Sequence, residues 1–270
     1  MKLEDYRDKY KNYHFDRTDD GILTMRFHTD NGPLIWGYRS NRDVAPALLD
    51  VGNDRENNVL ILTGSGDEMI GSIDYRPTQE PNRTFPLEAT ASGGGIRELE
   101  ALFALHIPVI AAVNGPIRVH SELAVLSDIV LATPNALFQD LPHFMSGLVP
   151  GDGINMTWQM LIGPNRARYF LWTGQEISAE EAYSLGVVNE IVPREKLLGR
   201  AHDLARLLMR QPKLVRKHTR QLLIHNIKAA HAAEAQLGVM LELSAWSLYG
   251  PPADIVPEPA EDASASRPPD

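Results

Sequence analysis

Three short, unbroken apolar runs restrict this chain to few architectures. Residues 58–63 carry Val-Leu-Ile-Leu-Thr ahead of Gly64, Ser65 and Gly66. Residues 107–113 read Ile-Pro-Val-Ile-Ala-Ala-Val, and residues 128–132 read Asp-Ile-Val-Leu-Ala. Runs this short, with no polar residue in alternation, suit strands buried on both faces of a sheet. Residues 21–28 alternate apolar and polar instead, which suggests a further strand. Helical patterns fall between these runs, at residues 41–51 and at 94–105 with Ile96, Leu99, Leu102 and Phe103. Strand, helix and strand in turn predict an α/β domain with mostly parallel pairing.

Beyond Gly153 the pattern turns helical, at residues 156–162, 165–173, 179–185 and 194–210, with one strand expected over 187–192. A long helical pattern runs from Pro212 to about Leu248. The spacing predicts an α/β core over residues 1–195 and a helical region over 196–250. Residues 251–270, rich in Pro, Ala, Ser and acidic side chains, are expected to be a disordered tail. The 270 residues hold no cysteine, which excludes disulfides, thiolate metal sites and a cysteine nucleophile. A net charge of −9 without a basic cluster argues against nucleic-acid binding. The charged first ten residues do not read as a signal peptide, and no apolar run approaches a membrane span. A cytoplasmic home is expected.

The chemistry-bearing stretch is residues 138–153, Phe-Gln-Asp-Leu-Pro-His-Phe-Met-Ser-Gly-Leu-Val-Pro-Gly-Asp-Gly. It sets His143 nine residues before Asp152, between Gly151 and Gly153. If the turn folds back, the carboxylate can fix the imidazole's tautomer and form a general acid/base unit. A loop histidine is otherwise a hydrogen-bonded structural residue. His120 also sits in a loop beside an apolar run. Glu122, two residues on, suits a helix N-terminus for purely structural reasons. Trp36 offers an indole donor, or simple core packing. Glu242 interrupts an apolar stretch and needs either a partner or a solvent-facing position. His106 reads as the start of a strand, and His202, His218, His225 and His231 fall on polar helical faces. Gly93-Gly94-Gly95 is no phosphate loop, and the His14/His28 and His225/His231 pairs lack zinc-ligand spacing.

The order of several motifs resembles the crotonase (enoyl-CoA hydratase/isomerase) superfamily over roughly residues 15–248. These are residues 61–66 leading to Gly71-Ser72-Ile73-Asp74, Pro108 to Gly115 leading to Glu122, and Leu148-Val-Pro-Gly-Asp-Gly153. Residues 171–182 and 186–192 resemble it as well. The resemblance implies a spiral of ββα units with a C-terminal helical region. The departures are specific. Thioester crotonases carry a glycine run after Asn-Gly, where this chain has Pro116-Ile-Arg-Val-His120. Hydratases keep a catalytic glutamate seven residues before the proline of the Pro-Gly turn, where this chain has His143 before Pro150. With Arg168-Tyr-Phe-Leu-Trp-Thr-Gly-Gln-Glu176, these features are similar to the subgroup of 6-oxocamphor hydrolase and related β-diketone hydrolases.

That likeness implies hydrolysis of the C–C bond between two carbonyls of a cyclic or bicyclic β-diketone, with no metal and no coenzyme A. It implies site roles for Trp36, His120, His143, Asp152 and Glu242, and a homotrimer or dimer of trimers built on the C-terminal helices. Leu34, Ile35, Phe85, Phe144 and Met145 flank these residues in sequence and suggest an apolar substrate body. The rival readings are an acyl-CoA-processing crotonase and a non-catalytic binding protein.

Overall fold

The computed structural model describes residues 1–74 and 95–249, so Phe85, Gly93, Gly94 and the expected tail lie outside it. The sheet is built from β1 (Tyr13–Arg17), β2 (Ile22–Phe27), β4 (Val59–Gly64), β6 (Val109–Val113), β7 (Ile129–Ala132) and β10 (Glu190–Ile191), in that spatial order. Only the β1–β2 pair is antiparallel. Leu60 pairs with Val109 and Ile110 with Ile129, so the three apolar runs lie side by side at the centre of the sheet.

Both faces of that sheet are covered, which is why its central strands show no polar alternation. Leu60, Leu62, Ala111 and Val113 face one core, shared with α2 (Tyr38–Asn53) and α3 (Ile96–Ala104). Their neighbours Val59, Ile61, Ile110 and Ala112 face a second core, against Leu197, Ala201 and Leu204 of α8 (Arg194–Met209). Fully burying each such aliphatic side chain contributes roughly 1.5–3 kcal/mol. Further short strands pair outside this sheet. Here β3 (Leu34–Trp36) pairs with β5 (Ile70–Ile73) and β8 (Leu137–Phe138) with β9 (Ile177–Ser178), bridged by Ile117. The remaining helices are α1 (Leu3–Tyr6), α4 (Glu122–Val125), α5 (Ile154–Ile162), α6 (Pro164–Thr173), α7 (Ala179–Ser184), α9 (Lys213–Leu223) and α10 (His225–Tyr249).

This is the α/β architecture that the strand–helix alternation predicts. Three local expectations change. The strand expected over 187–192 shrinks to Glu190–Ile191, because the Val187 and Val188 amides donate to the Ala182 carbonyl and keep the chain turning. The single long helix expected after Pro212 breaks at Ile224 into α9 and α10. β1, β3, β5, β8 and β9 were not expected. Apart from the five residues of β1, these strands are two to four residues long, too short to show a period.

One close approach positions the site. A Cβ on Gly238 of α10 would lie 2.2 Å from the Gly151 carbonyl, and one on Gly151 would lie 2.2 Å from the Gly238 carbonyl. Two glycines thus let the α10 backbone rest on the turn that carries Asp152.

Candidate active site

His120 and His143 reach the same buried region from different elements. His120 lies in the loop between β6 and α4, two residues before Glu122. It holds φ at +49°, a left-handed conformation that strains a residue with a Cβ. Its Nδ1 donates to Glu122 Oε1 at 2.6 Å, and Trp36 packs on its ring with centroids 4.2 Å apart. The structural reading of Glu122 as a dipole-compensating residue is therefore incomplete. Its carboxylate is 1 % exposed and orients an imidazole.

His143 lies just before the 3₁₀ turn Phe144–Ser146. Its Nδ1 donates to Asp140 Oδ1 at 2.5 Å, while Nε2 lies 3.4 Å from Asp152 Oδ2. The turn does bring Asp152 to His143, as its spacing suggests. The tautomer-fixing contact, however, belongs to Asp140, three residues upstream, and this corrects the role expected for Asp152. Asp152 instead sits between the imidazoles, its Oδ2 also 3.6 Å from His120 Nδ1. Glu242, on α10 one turn beyond Gly238, is 5 % exposed, and its Oε2 has no hydrogen-bond partner. The Trp36 indole N–H is fully buried and likewise unpartnered.

The charges in this region are strongly perturbed. Burial alone would lower the His120 pKa, but Glu122, Glu98 and Asp152 outweigh it and hold the ring up at about 10. Burial acts the same way on His143, and Asp140 and Asp152 together raise it well above 6.5. For Asp152, burial favours the neutral acid, yet the His143 and His120 cations hold its carboxyl well below the usual carboxylate range. Burial, reinforced by the Asp152 charge, pushes Glu242 up to about 8. Clustered, oppositely perturbed acids and bases mark sites of proton transfer.

Two members of the cluster are not evident from sequence reasoning. Asp140 sits in the same short stretch as His143 and could have been found from that proximity. Glu98 lies four residues before Leu102 on α3, so it shares that helix's apolar face. Glu98, His120 and Glu122 bring one potential ligand atom each within 4.8 Å of one another. The nitrogen that faces both carboxylates carries a proton donated to Glu122, which is the geometry of proton sharing rather than of ligation.

Other expectations resolve individually. Leu34 is a core residue, while Ile35, Phe144 and Met145 are exposed. His231 is buried against Phe103, with ring centroids 5.6 Å apart, rather than on a solvated face, and burial lowers its pKa. His218 and His225 are exposed as the helical pattern suggests, whereas His202 is half-buried.

The sequence matches the enoyl-CoA hydratase/isomerase family over residues 38–245, and the chain belongs to that family. Within it, the chain is similar to a β-diketone hydrolase from the cyanobacterium Anabaena sp. PCC 7120, whose structure holds (S)-3-oxocyclohexyl acetic acid. The two are 38 % identical with a TM-score of 0.83, covering 90 % of this chain and 97 % of that one. An enoyl-CoA hydratase/isomerase from Mycobacterium paratuberculosis shares the fold, with a TM-score of 0.79 at 23 % identity, over 87 % of this chain and 94 % of that one. Among curated relatives, a carnitinyl-CoA dehydratase of Salmonella enteritidis and a crotonyl-CoA hydratase of Syntrophomonas wolfei are each 34 % identical over 165 residues, 60 % of this chain. The matched segment spans 62 % of the length of those relatives.

Proposed function

We propose that this protein hydrolyses the C–C bond between the two carbonyls of a β-diketone. The observation that carries this reading is the imidazole of His143, bonded to Asp140 through Nδ1 and facing Asp152 through Nε2. That arrangement suits a base for water, and it stands where hydratases keep a glutamate. In the reaction, neutral His143 takes a proton from water, and the hydroxide adds to one carbonyl carbon. The oxyanion is held by the Trp36 N–H and by His120, whose Nδ1 is already committed to Glu122, leaving Nε2 as donor. The bond to the central carbon then breaks. Its electron pair leaves as the enolate of the second ketone, and the imidazolium of His143 returns its proton to that carbon. The products are a carboxylic acid and a ketone, joined as one keto acid when the diketone is cyclic. Glu242 positions the water or tunes a histidine. The step needs neither a metal nor coenzyme A.

The similarity to the Anabaena β-diketone hydrolase supports this reading, and the names of the curated coenzyme A relatives favour a rival one. Incubation with cyclic β-diketones and, separately, with an enoyl-CoA separates them. Loss of diketone absorbance with acid release supports C–C hydrolysis, and hydration of the thioester supports the rival. No change with either substrate favours a binding protein. His143→Ala should lower diketone turnover by about 10²–10⁴-fold, the usual contribution of a general base. Wild-type turnover in that variant would sink the assignment. We further infer a homotrimeric or dimer-of-trimers assembly in the cytoplasm.

A further inference from the structure

Glu98 is the least explained member of the cluster. It lies on α3, remote in sequence from both histidines, and is 1 % exposed. Neither of its carboxyl oxygens makes a hydrogen bond. Its Oε2 lies 3.6 Å from His120 Nδ1. Glu122 Oε1 lies 2.6 Å and Asp152 Oδ2 3.6 Å from the same nitrogen. Three carboxylates therefore converge on one N–H, which has a single proton to donate, and Glu122 receives it. Glu98 is left beside a cation without bonding to it.

Ionisable groups stand around Glu98 on several elements, and Asp43 of α2, the helix packed on α3, acts with it on the Tyr13 phenol. His120 and Glu122 face it from the start of α4, Asp152 from the turn before α5, Glu242 from α10 and the Tyr13 phenol from β1. Against the nearby His120 cation stand Glu122, Asp152 and Glu242, so a further negative charge is disfavoured. Burial pushes Glu98 up to about 8, the His120 cation restraining it and the other carboxylates adding to it. Its proton has no hydrogen-bond acceptor, whereas the His120 Nδ1 proton is held by Glu122 at 2.6 Å.

We propose that Glu98 is a positioning residue for His120, one that gives up its own proton first so that His120 keeps its. As pH rises, the Glu98 carboxyl ionises beside Nδ1, and the new negative charge stabilises the imidazolium that donates to a substrate oxygen. Glu98 touches no substrate. It extends the pH range over which His120 remains a donor. This inference rests on the reading of His120 as a donor to a carbonyl of the β-diketone.

Glu98→Gln keeps the shape of the neutral acid and cannot ionise. The falling alkaline limb of kcat/KM on a cyclic β-diketone should move to lower pH by about 1 unit or more, the usual effect of losing a charge at this distance. The His120 imidazole, followed by NMR, should titrate lower by the same amount. Glu98→Asp, which still ionises, should hold the limb nearer its wild-type position. An unchanged His120 titration in folded E98Q overturns the proposal, as does a uniform loss of turnover at every pH with that titration intact, since both mark a purely structural residue. If E98Q does not fold, the Glu98 carboxyl ¹³C resonance decides in the wild-type protein. Titration between neutrality and the His120 transition supports the proposal, and a carboxylate already ionised at neutral pH overturns it. Should the wild-type protein cleave no diketone, the functional reading fails alone, because the His120 titration still reports the link to Glu98.

Discussion

His143 illustrates how a side chain's chemistry is set by what touches each of its atoms. Asp140 on Nδ1 and Asp152 near Nε2 stabilise the imidazolium, so the neutral base becomes more populated as pH rises. Activity that needs neutral His143 should therefore climb with pH above neutrality. It should fall again as His120, held at about 10, loses the proton it donates. Asp140→Asn removes one of the charges that raise His143. Its rising limb should shift to lower pH, while maximal turnover drops by about 10²–10⁴-fold because the ring loses its oriented tautomer. Steady-state pH profiles of kcat check both signs, and a D140N profile that overlays the wild type would exclude Asp140 from the site. His143 and Asp152 were legible in the sequence because a short glycine-flanked stretch carries both. Glu98 was not, because it stands among the charged neighbours Arg97 and Glu100 and reads as one more solvated residue of its helix.

Among the elements, α10 is held against the Asp152 turn by one close backbone approach. Gly238 lets it lie against Gly151, Val239 packs with Ile96, and Glu242 follows one turn later. Gly238→Ala would place a methyl group 2.2 Å from a backbone carbonyl, so the helix must move. Overpacking of this kind costs typically 1–3 kcal/mol. The expected result is a lowered Tm together with reduced turnover, since Glu242 moves with the helix. Thermal unfolding and activity of G238A test it, and a variant of unchanged Tm would show that the helix is not pinned there. The helical pattern of this region was readable from spacing. Its break at Ile224 was not, because residues 222–226 hold neither Gly nor Pro to mark a helix end.

For the molecule as a whole, the C-terminal helices leave many apolar side chains uncovered. Leu214, Leu222 and Leu223 on α9, and Leu237, Met240 and Leu248 on α10, are each more than 60 % exposed. Apolar surface of that extent is disfavoured in water and is typical of an interface. Light scattering should give three or six times the 30.0 kDa chain mass. Paired Leu222→Asp and Leu223→Asp substitutions are expected to lower it, and a monomeric wild-type protein would refute the assembly. No described helix is long and apolar enough to cross a membrane.

The central sheet and the covering of both its faces can be read from residue order alone. Those properties follow from the periodicity of neighbouring residues, and the strand–helix order admits few topologies. Residue order also placed a histidine and an aspartate in one short stretch. Which carboxylate fixes which imidazole, and that Glu98, Glu122, Asp152 and Glu242 share one buried region, emerges only in the folded chain. The reason is that Coulomb interaction and desolvation depend on distance through space and on burial. Residues 98, 122, 152 and 242 become neighbours only once α3, the start of α4, the Gly151–Gly153 turn and α10 have packed together.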